Sequence, residues 1–297
     1  MRAISAEEDR YLLQLADGQG WDIVASQGVR PWAGTFASIM QLDPVALNGH
    51  PKLIVTRKRG DIADLRVLPP TGWKPHDLTS LQLWYHPEVP DVVCELGHAR
   101  DDSLEIIRMW LALYPVYNRT LESGALPLHA AMMALDGKGI LIAAAGGIGK
   151  STCCGRIVPP WDVLCDDTTL VVLDRASEFR AHPFPTWSNY LWKRSATTWN
   201  VQKHMPLWAI FFLEQSAVDE AIPVGQGQAS VLITESAMQV CQPGWTNLGS
   251  AEKRLIKESL FKNACAIARR VPAFRLRASI HGRFWEEMER ALQHGLQ

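Results

Sequence analysis

The chain has 297 residues, 47% of them hydrophobic, and sets 30 basic against 31 acidic residues for a net charge of -1. That length can build one large core, or one core with a smaller appended domain. The balanced charge lacks the clustered excess of Lys and Arg on which phosphate-backbone affinity rests, so a nucleic-acid partner is not expected.

Glu7, Glu8 and Asp9 stand where an export signal would begin its apolar core, so no secretory signal is read. Apolar runs at 11–15 and 21–24 flank Asp17-Gly18 and predict a hairpin, and 52–55 and 81–85 predict further strands. Residues 1–100 therefore read as a β-rich N-terminal region, serving either as a substrate platform or as a sheet that completes the fold. Arg57-Lys58-Arg59 before Gly60 reads as a solvated hairpin tip. His86, Cys94 and His98 lack the paired spacing of a zinc site. A helix capped by Asp102 or Ser103 follows, with Leu104, Ile107, Leu111 and Leu113 as its apolar stripe and an end near Pro115. It opens a second region, 101–297.

Within that region, residues 131–135 and 140–145 are apolar runs joined by Asp136-Gly137, which predicts a second hairpin. A doubly wound domain more often enters its nucleotide loop from a crossover, so an antiparallel neighbour here narrows the choice of architecture. The second run delivers the segment Gly146-Gly147-Ile148-Gly149-Lys150-Ser151-Thr152. Glycines let several backbone N–H groups converge on one anion. Lys150 would reach the outer phosphates, and the Ser151 hydroxyl is placed to hold Mg²⁺. The phosphate-loop pattern G-x-x-x-x-G-K-[ST] is met except at its first position, where Ala144 stands. An alanine there costs about 1 kcal/mol if the loop needs positive φ, and little otherwise. His129, before the first strand of this hairpin, falls at the end where the loop begins and can face the phosphates.

A short helix should end at Pro159-Pro160, with a buried strand over 161–165 and the adjacent acids Asp166 and Asp167 at its end. If the chain turns there, as Thr168-Thr169 permit, one carboxylate can hold a metal and the other the hydroxyl to be phosphorylated. Phosphoryl transfer asks for little beyond charge neutralisation and an oriented nucleophile. Strands at 169–173 and 179–182 lead to the loop Pro183-Phe-Pro-Thr-Trp187, stiff enough to present His182, Thr186 or Trp187 to a substrate. A buried strand over 207–213 and helices over 251–269 and 283–292 complete the chain. Leu255, Ile256, Leu260 and Phe261 form part of the stripe on the first of these helices. The stripes read as packing faces that would also suit a homo-oligomer interface. No run approaches the ~18 apolar residues of a membrane helix. The six cysteines form no C-x-x-C pair, which predicts a reduced, cytoplasmic protein.

Taken together, Pro127-Leu128-His129-Ala130, the Asp-Gly hairpin, Gly147 to Ser151 and Cys165-Asp166-Asp167 resemble the HPr kinase/phosphorylase family of P-loop serine kinases. Within that superfamily the chain most closely resembles the SynChlorMet cassette protein ScmC group. Gly149-Lys-Ser-Thr-Cys-Cys154, Leu164-Cys-Asp-Asp167 and Ala181-His-Pro-Phe-Pro-Thr-Trp-Ser188 carry that likeness, which extends over most of 125–245. The resemblance implies an α/β fold with an HPr kinase-like P-loop core and a mixed sheet, using ATP and Mg²⁺. It makes Gly146 to Thr152 the nucleotide loop, Asp167 the metal partner beside Ser151, Asp166 the base, and His129 an assistant to that base. Members of the group are encoded beside radical-enzyme and peptide-carrier genes, which implies a peptide or small-protein acceptor. The chain departs from the HPr kinase pattern at Ala144 and at Thr152, where that family has an acid. It also lacks a clear equivalent of the segment that docks HPr.

Overall fold

In the computed structural model, which describes residues 10–45, 49–58, 69, 71–97, 101–192 and 197–294, the fold is mixed α/β with two mixed sheets and a β-rich N-terminal part. The chain divides into two units. One comprises Met1–Val116, Trp187–Gln202 and Pro243–Leu248, the other Tyr117–Thr186, Lys203–Gln242 and Gly249–Gln297.

In the first unit, β1 (Arg10–Gln14) and β2 (Gly20–Ala25) form the predicted hairpin, with Gly18 at φ 85 in its turn. Helix α1 (Arg30–Ile39) was not foreseen, although Pro31 in its first turn is a start signal. Strands β3 (Lys52–Thr56), β4 (Lys74–Asp77), β5 (Gln82–Tyr85) and β6 (Val92–Glu95) complete a six-stranded sheet in the order β1-β2-β3-β6-β5-β4. Strand β3 runs parallel to both neighbours, so Arg57 does not sit at the tip of a hairpin. Its guanidinium instead pairs with Glu105 at 3.0 Å. Cys94 is fully buried and burial pushes its thiol up to about 12, while His86 bonds the Thr71 carbonyl. Arg59, Gly60, His98 and the first nine residues lie outside the described residues.

Helix α2 (Asp102–Leu111) is capped one residue earlier than expected, by the Asp101 carboxylate accepting from the Ser103 and Leu104 amides. Pro115 does not end this helix but lies in the first turn of the next, α3 (Tyr114–Glu122), where its missing N–H costs nothing. Chain continuity passes from one unit to the other within α3.

The second unit is a nine-stranded sheet. Its strands are β7 (Leu126–Leu128), β8 (Ala130–Leu135), β9 (Lys138–Ala143), β10 (Asp162–Cys165), β11 (Thr168–Leu173), β12 (Phe179–Phe184), β13 (Met205–Gln215), β14 (Glu220–Pro223) and β15 (Ala273–Ala278). The order is β10-β8-β9-β13-β12-β11-β7, with β15 paired to β13 and β14. Strands β8 and β9 form the Asp-Gly hairpin, with Asp136 at φ 50 and Gly137 at φ 73. On its other side β9 runs parallel to β13, which runs parallel to β15.

Alternation sorts the side chains. Ala131, Met133, Ile140, Ile142, Ala209, Phe211, Phe274 and Leu276 join Cys153 of α4 (Lys150–Arg156) and Phe284, Met288 and Leu292 of α8 (Phe284–His294) in one core. Met132, Leu141 and Ile210, on the opposite face, are also fully buried, which explains the unbroken apolar runs in sequence. The unit also holds α6 (Gln226–Cys241), packed on β7, and α7 (Ser250–Ala268), packed on α6. On α7 the predicted stripe is partly wrong. Leu260, Ala264 and Ile267 are buried, but Leu255 is 61% and Phe261 48% exposed. The short helix α5 (Trp187–Leu191) belongs to the first unit. No helix among the described residues is long and apolar enough to cross a membrane.

Candidate functional site

Strand β9 ends at Ala143 and α4 starts at Lys150, so the glycine-rich segment joins strand to helix as its sequence required. Gly147 at φ 79 and Gly149 at φ 119 occupy backbone conformations that side chains disfavour. Ala144 does not. The described non-glycine residues with positive φ are Gln41, Asp136 and Ser177, so the departure at the first pattern position carries no backbone strain. A Cβ added at Gly146 or Gly149 would meet nothing within 4 Å, which leaves backbone conformation as the difference between them. Gly149→Ala should lose about 1–3 kcal/mol of stability. Gly146→Ala should stay within roughly 0.5 kcal/mol of wild type. Urea melts of the two variants check this contrast, and equal midpoints would contradict it.

Around the loop, Ala145, Gly146, Gly147, Ser151 and Thr152 are exposed, whereas Lys150 between them is only 6% exposed. Its Nζ donates to the Ala144 carbonyl at 3.0 Å. Burial lowers the Lys150 pKa, against the opposing attraction of Asp167 and then Asp166, which places both carboxylates within electrostatic reach of this cation.

The acids sit where the chain leaves β10 for β11. Strand β11 starts at Thr168, one residue before the strand expected over 169–173, so the turn is made by Asp166-Asp167 themselves. It is pinned beneath by Thr169 Oγ1 donating to the Ala130 carbonyl at 3.0 Å and Cys165 Sγ donating to the Thr168 carbonyl at 3.1 Å. With neighbouring side chains diverging at the bend, each carboxylate finds its own partners. Asp167 Oδ1 accepts from His129 Nε2 at 3.1 Å and Oδ2 from Thr168 Oγ1 at 3.2 Å. Asp166 Oδ1 accepts from Thr186 Oγ1.

His129, expected to assist Asp166, is bonded to Asp167. Burial works to raise the Asp167 carboxyl. The His129 hydrogen bond and charge, together with the Lys150 charge and the Thr168 hydroxyl, outweigh it and hold the group below the ordinary carboxylate range. The Asp167 side chain is 38% exposed, so solvent screens the pair and the contact matters more for geometry than for stability.

His129 is itself held on three sides. Its backbone N–H donates to the Ser236 carbonyl at 3.2 Å, Ser236 Oγ donates to its carbonyl at 3.3 Å, and Nδ1 contacts the Gln239 side-chain amide at 2.7 Å. Sequence reading missed Ser236 and Gln239, both on α6. Gly225 and Gly227 at its start and the β-branched Val231, Ile233 and Thr234 along it favour other conformations, and only packing makes this segment a helix.

Of the three residues assigned to a substrate loop, the structure brings only Thr186 to the acids. Pro183 and Phe184 belong to β12, which shortens that loop to Pro185 and Thr186. His182 is fully buried in β12 opposite Leu170, its ring 5.2 Å from that of His204. Trp187 is 6% exposed in the first unit and stacks on Phe36 at 6.0 Å. Neither side chain is presented by a loop. The remaining predicted groups, the loop 146–149 with Lys150, and the acids with His129, converge at one end of the sheet, since Ala143 pairs with Ala130 and Cys165 with Met132.

Hard oxygen donors gather there. The Ser151 hydroxyl and the two carboxylates suit Mg²⁺, which takes few protein ligands and fills its octahedron with water and phosphate oxygens. Among the described residues no cluster of three His, Cys, Asp or Glu would hold a metal ion unaided.

The family model described as SynChlorMet cassette protein ScmC matches residues 92–293 of the chain. No curated protein matches it.

Proposed function

The chain belongs to the SynChlorMet cassette protein ScmC family, and from that premise we propose that it is an ATP- and Mg²⁺-dependent kinase of the HPr kinase-like P-loop superfamily. Its acceptor is a hydroxyl, a serine in the first instance, on a peptide or small protein. One observation carries this reading: a buried lysine on a glycine-rich strand-to-helix loop lies within electrostatic reach of two carboxylates, one of them braced by a histidine.

Each part has a task. The loop amides and Lys150 hold the β- and γ-phosphates and draw charge from the terminal phosphoryl group as its bond to the leaving oxygen lengthens. Ser151 and Asp166 would hold Mg²⁺, which would supply further charge neutralisation. Asp167 then orients the acceptor hydroxyl and takes its proton, while His129 fixes the carboxylate in place. This exchanges the roles that the resemblance gave the two aspartates, because the histidine meant to assist the base lies on Asp167. The lowered Asp167 pKa makes it a weak base. A loose transition state gains more from an oriented hydroxyl than from a strong base, so this is no obstacle. Six free cysteines fit a reducing, cytoplasmic setting.

Incubating the protein with γ-labelled ATP, Mg²⁺, serine-containing peptides and a panel of hydroxylated metabolites tests the proposal. Label on a peptide is the expected result. Label confined to a metabolite would make the protein a small-molecule kinase, since the loop does not choose the acceptor. ATP binding with no transfer to anything would leave a nucleotide-sensing module instead.

A further inference from the structure

We infer that the nucleoside end of the nucleotide lies in a cleft on the far side of the loop from the acids, against Gln215 and Ile280; this rests on the kinase reading above. Strand order gives the direction. Ala143, the last residue of β9 before the loop, pairs on one side with Ala130 of β8, next to His129, and on the other with Phe212 of β13, beyond which β15 lies. A polyphosphate laid along the loop with its terminal phosphate toward Asp167 must therefore run its other end toward β13 and β15. The parallel strands β9, β13 and β15 all deliver their carboxyl ends to this edge, where open α/β sheets hold ligands.

A cleft of about 270 Å³ opens there, between Ile148 and Gly149 of the loop, Thr152 and Arg156 of α4, and the strand ends at Gln215, Ser216 and Ile280. Its walls are tied together. Gln215 Nε2 donates to the Ile148 carbonyl at 3.1 Å, and Arg156 Nη1 donates to the Ser279 carbonyl at 2.8 Å. Ser279 N donates to Asp219 Oδ1 at 2.6 Å, and Ser216 N to the Ala278 carbonyl at 3.1 Å. The shape is thus set before a ligand arrives, which lowers the entropic cost of binding.

Two features suit a nucleoside. Ile280 is 65% exposed and, with Ile148 and Leu213 also lining the cleft, offers an apolar surface for the face of a base. Gln215, exposed, uses its amide N–H on the loop and keeps Oε1 as an acceptor for a base amine or a ribose hydroxyl.

Titration calorimetry with Mg²⁺, comparing ATP with inorganic tripolyphosphate, separates the two ends. The variant Ile280→Ser changes one exposed side chain of the cleft outside the phosphate loop and adds no charge. It should bind ATP about tenfold more weakly than wild type and tripolyphosphate as well as wild type does. Unchanged ATP affinity would overturn the inference while leaving the kinase reading intact. A parallel loss of tripolyphosphate would also overturn it, because the substitution would then act through the loop. Wild-type protein that bound neither probe would remove the kinase reading and this inference with it.

Discussion

Lys150→Met protein should bind ATP at least about 100-fold more weakly than wild type and yet melt at a higher temperature in the absence of nucleotide. Both effects have one origin. A lysine 6% exposed gives up most of its hydration, and its lowered pKa means that charging it costs more in the fold than in water, even with Asp167 and Asp166 nearby. The sign follows from linkage. Below its folded pKa the group detracts from stability in full, and the penalty disappears only above 10.5, where the unfolded chain's lysine is neutral too. At neutral pH an uncharged side chain of similar length should therefore raise stability, by about 0.5–2 kcal/mol on the scale of other relieved functional sites. For a cooperative unit of this size that is a few degrees in melting temperature, at roughly 2–4 °C per kcal/mol. In the proposed function the charge serves the phosphates, where a charge-assisted hydrogen bond is worth about 1.5–3 kcal/mol. Lys150→Arg keeps that charge and should lose less affinity than Lys150→Met. Scanning calorimetry and ATP titration decide the matter. A lower melting temperature would show that the two acids stabilise Lys150 more than burial harms it, and unchanged ATP affinity would remove Lys150 from the phosphate site.

Much of this site was legible because its parts are local in sequence. The Asp136-Gly137 turn demands left-handed backbone, so its hairpin is written in two residues. The loop is written in Gly147, Gly149 and Lys150, and the acid pair in Asp166 and Asp167 beside a short apolar strand. Contacts distant in sequence were not legible. Gln239 meets His129 across 110 positions, and Thr186 meets Asp166 across 20. Neither spacing belongs to any local pattern. The exposed Leu255 and Phe261 mark the limit of periodicity, which finds that a helix has an apolar side but not how far along it the partner extends. Pro115 misled for a simpler reason: a proline that cannot continue a helix is well suited to begin one. The swap of His129 from Asp166 to Asp167 is the instructive case. Two adjacent acids are equivalent in a string of letters, and only the bend between β10 and β11 makes them differ.

That bend also makes the two acids separable by experiment. Asp167→Asn should reduce turnover by about 10²–10⁴-fold, the span associated with losing a positioned proton acceptor, while ATP binds as tightly as before or more so. The second half follows from charge, since Asn removes a negative group that lies within electrostatic reach of Lys150 and, in the proposed function, of the incoming phosphates. Asp166→Asn should instead raise the Mg²⁺ concentration needed for half-maximal rate, because a hard cation loses an oxygen ligand. The pH profile of His129→Gln decides between the two acids. In the wild type, the His129 hydrogen bond and charge help hold the Asp167 carboxyl below its ordinary range. Turnover should therefore not fall until the pH drops below the usual carboxylate pKa. Without the histidine, burial is opposed only by the Lys150 charge and the Thr168 hydroxyl and the carboxyl rises, so the acid limb of turnover should move to higher pH. If Asp166 were the proton acceptor, its bond to Thr186 would survive the change and the limb would stay where it was. A fixed acid limb in His129→Gln, together with a turnover loss larger in Asp166→Asn than in Asp167→Asn, would return the base to Asp166.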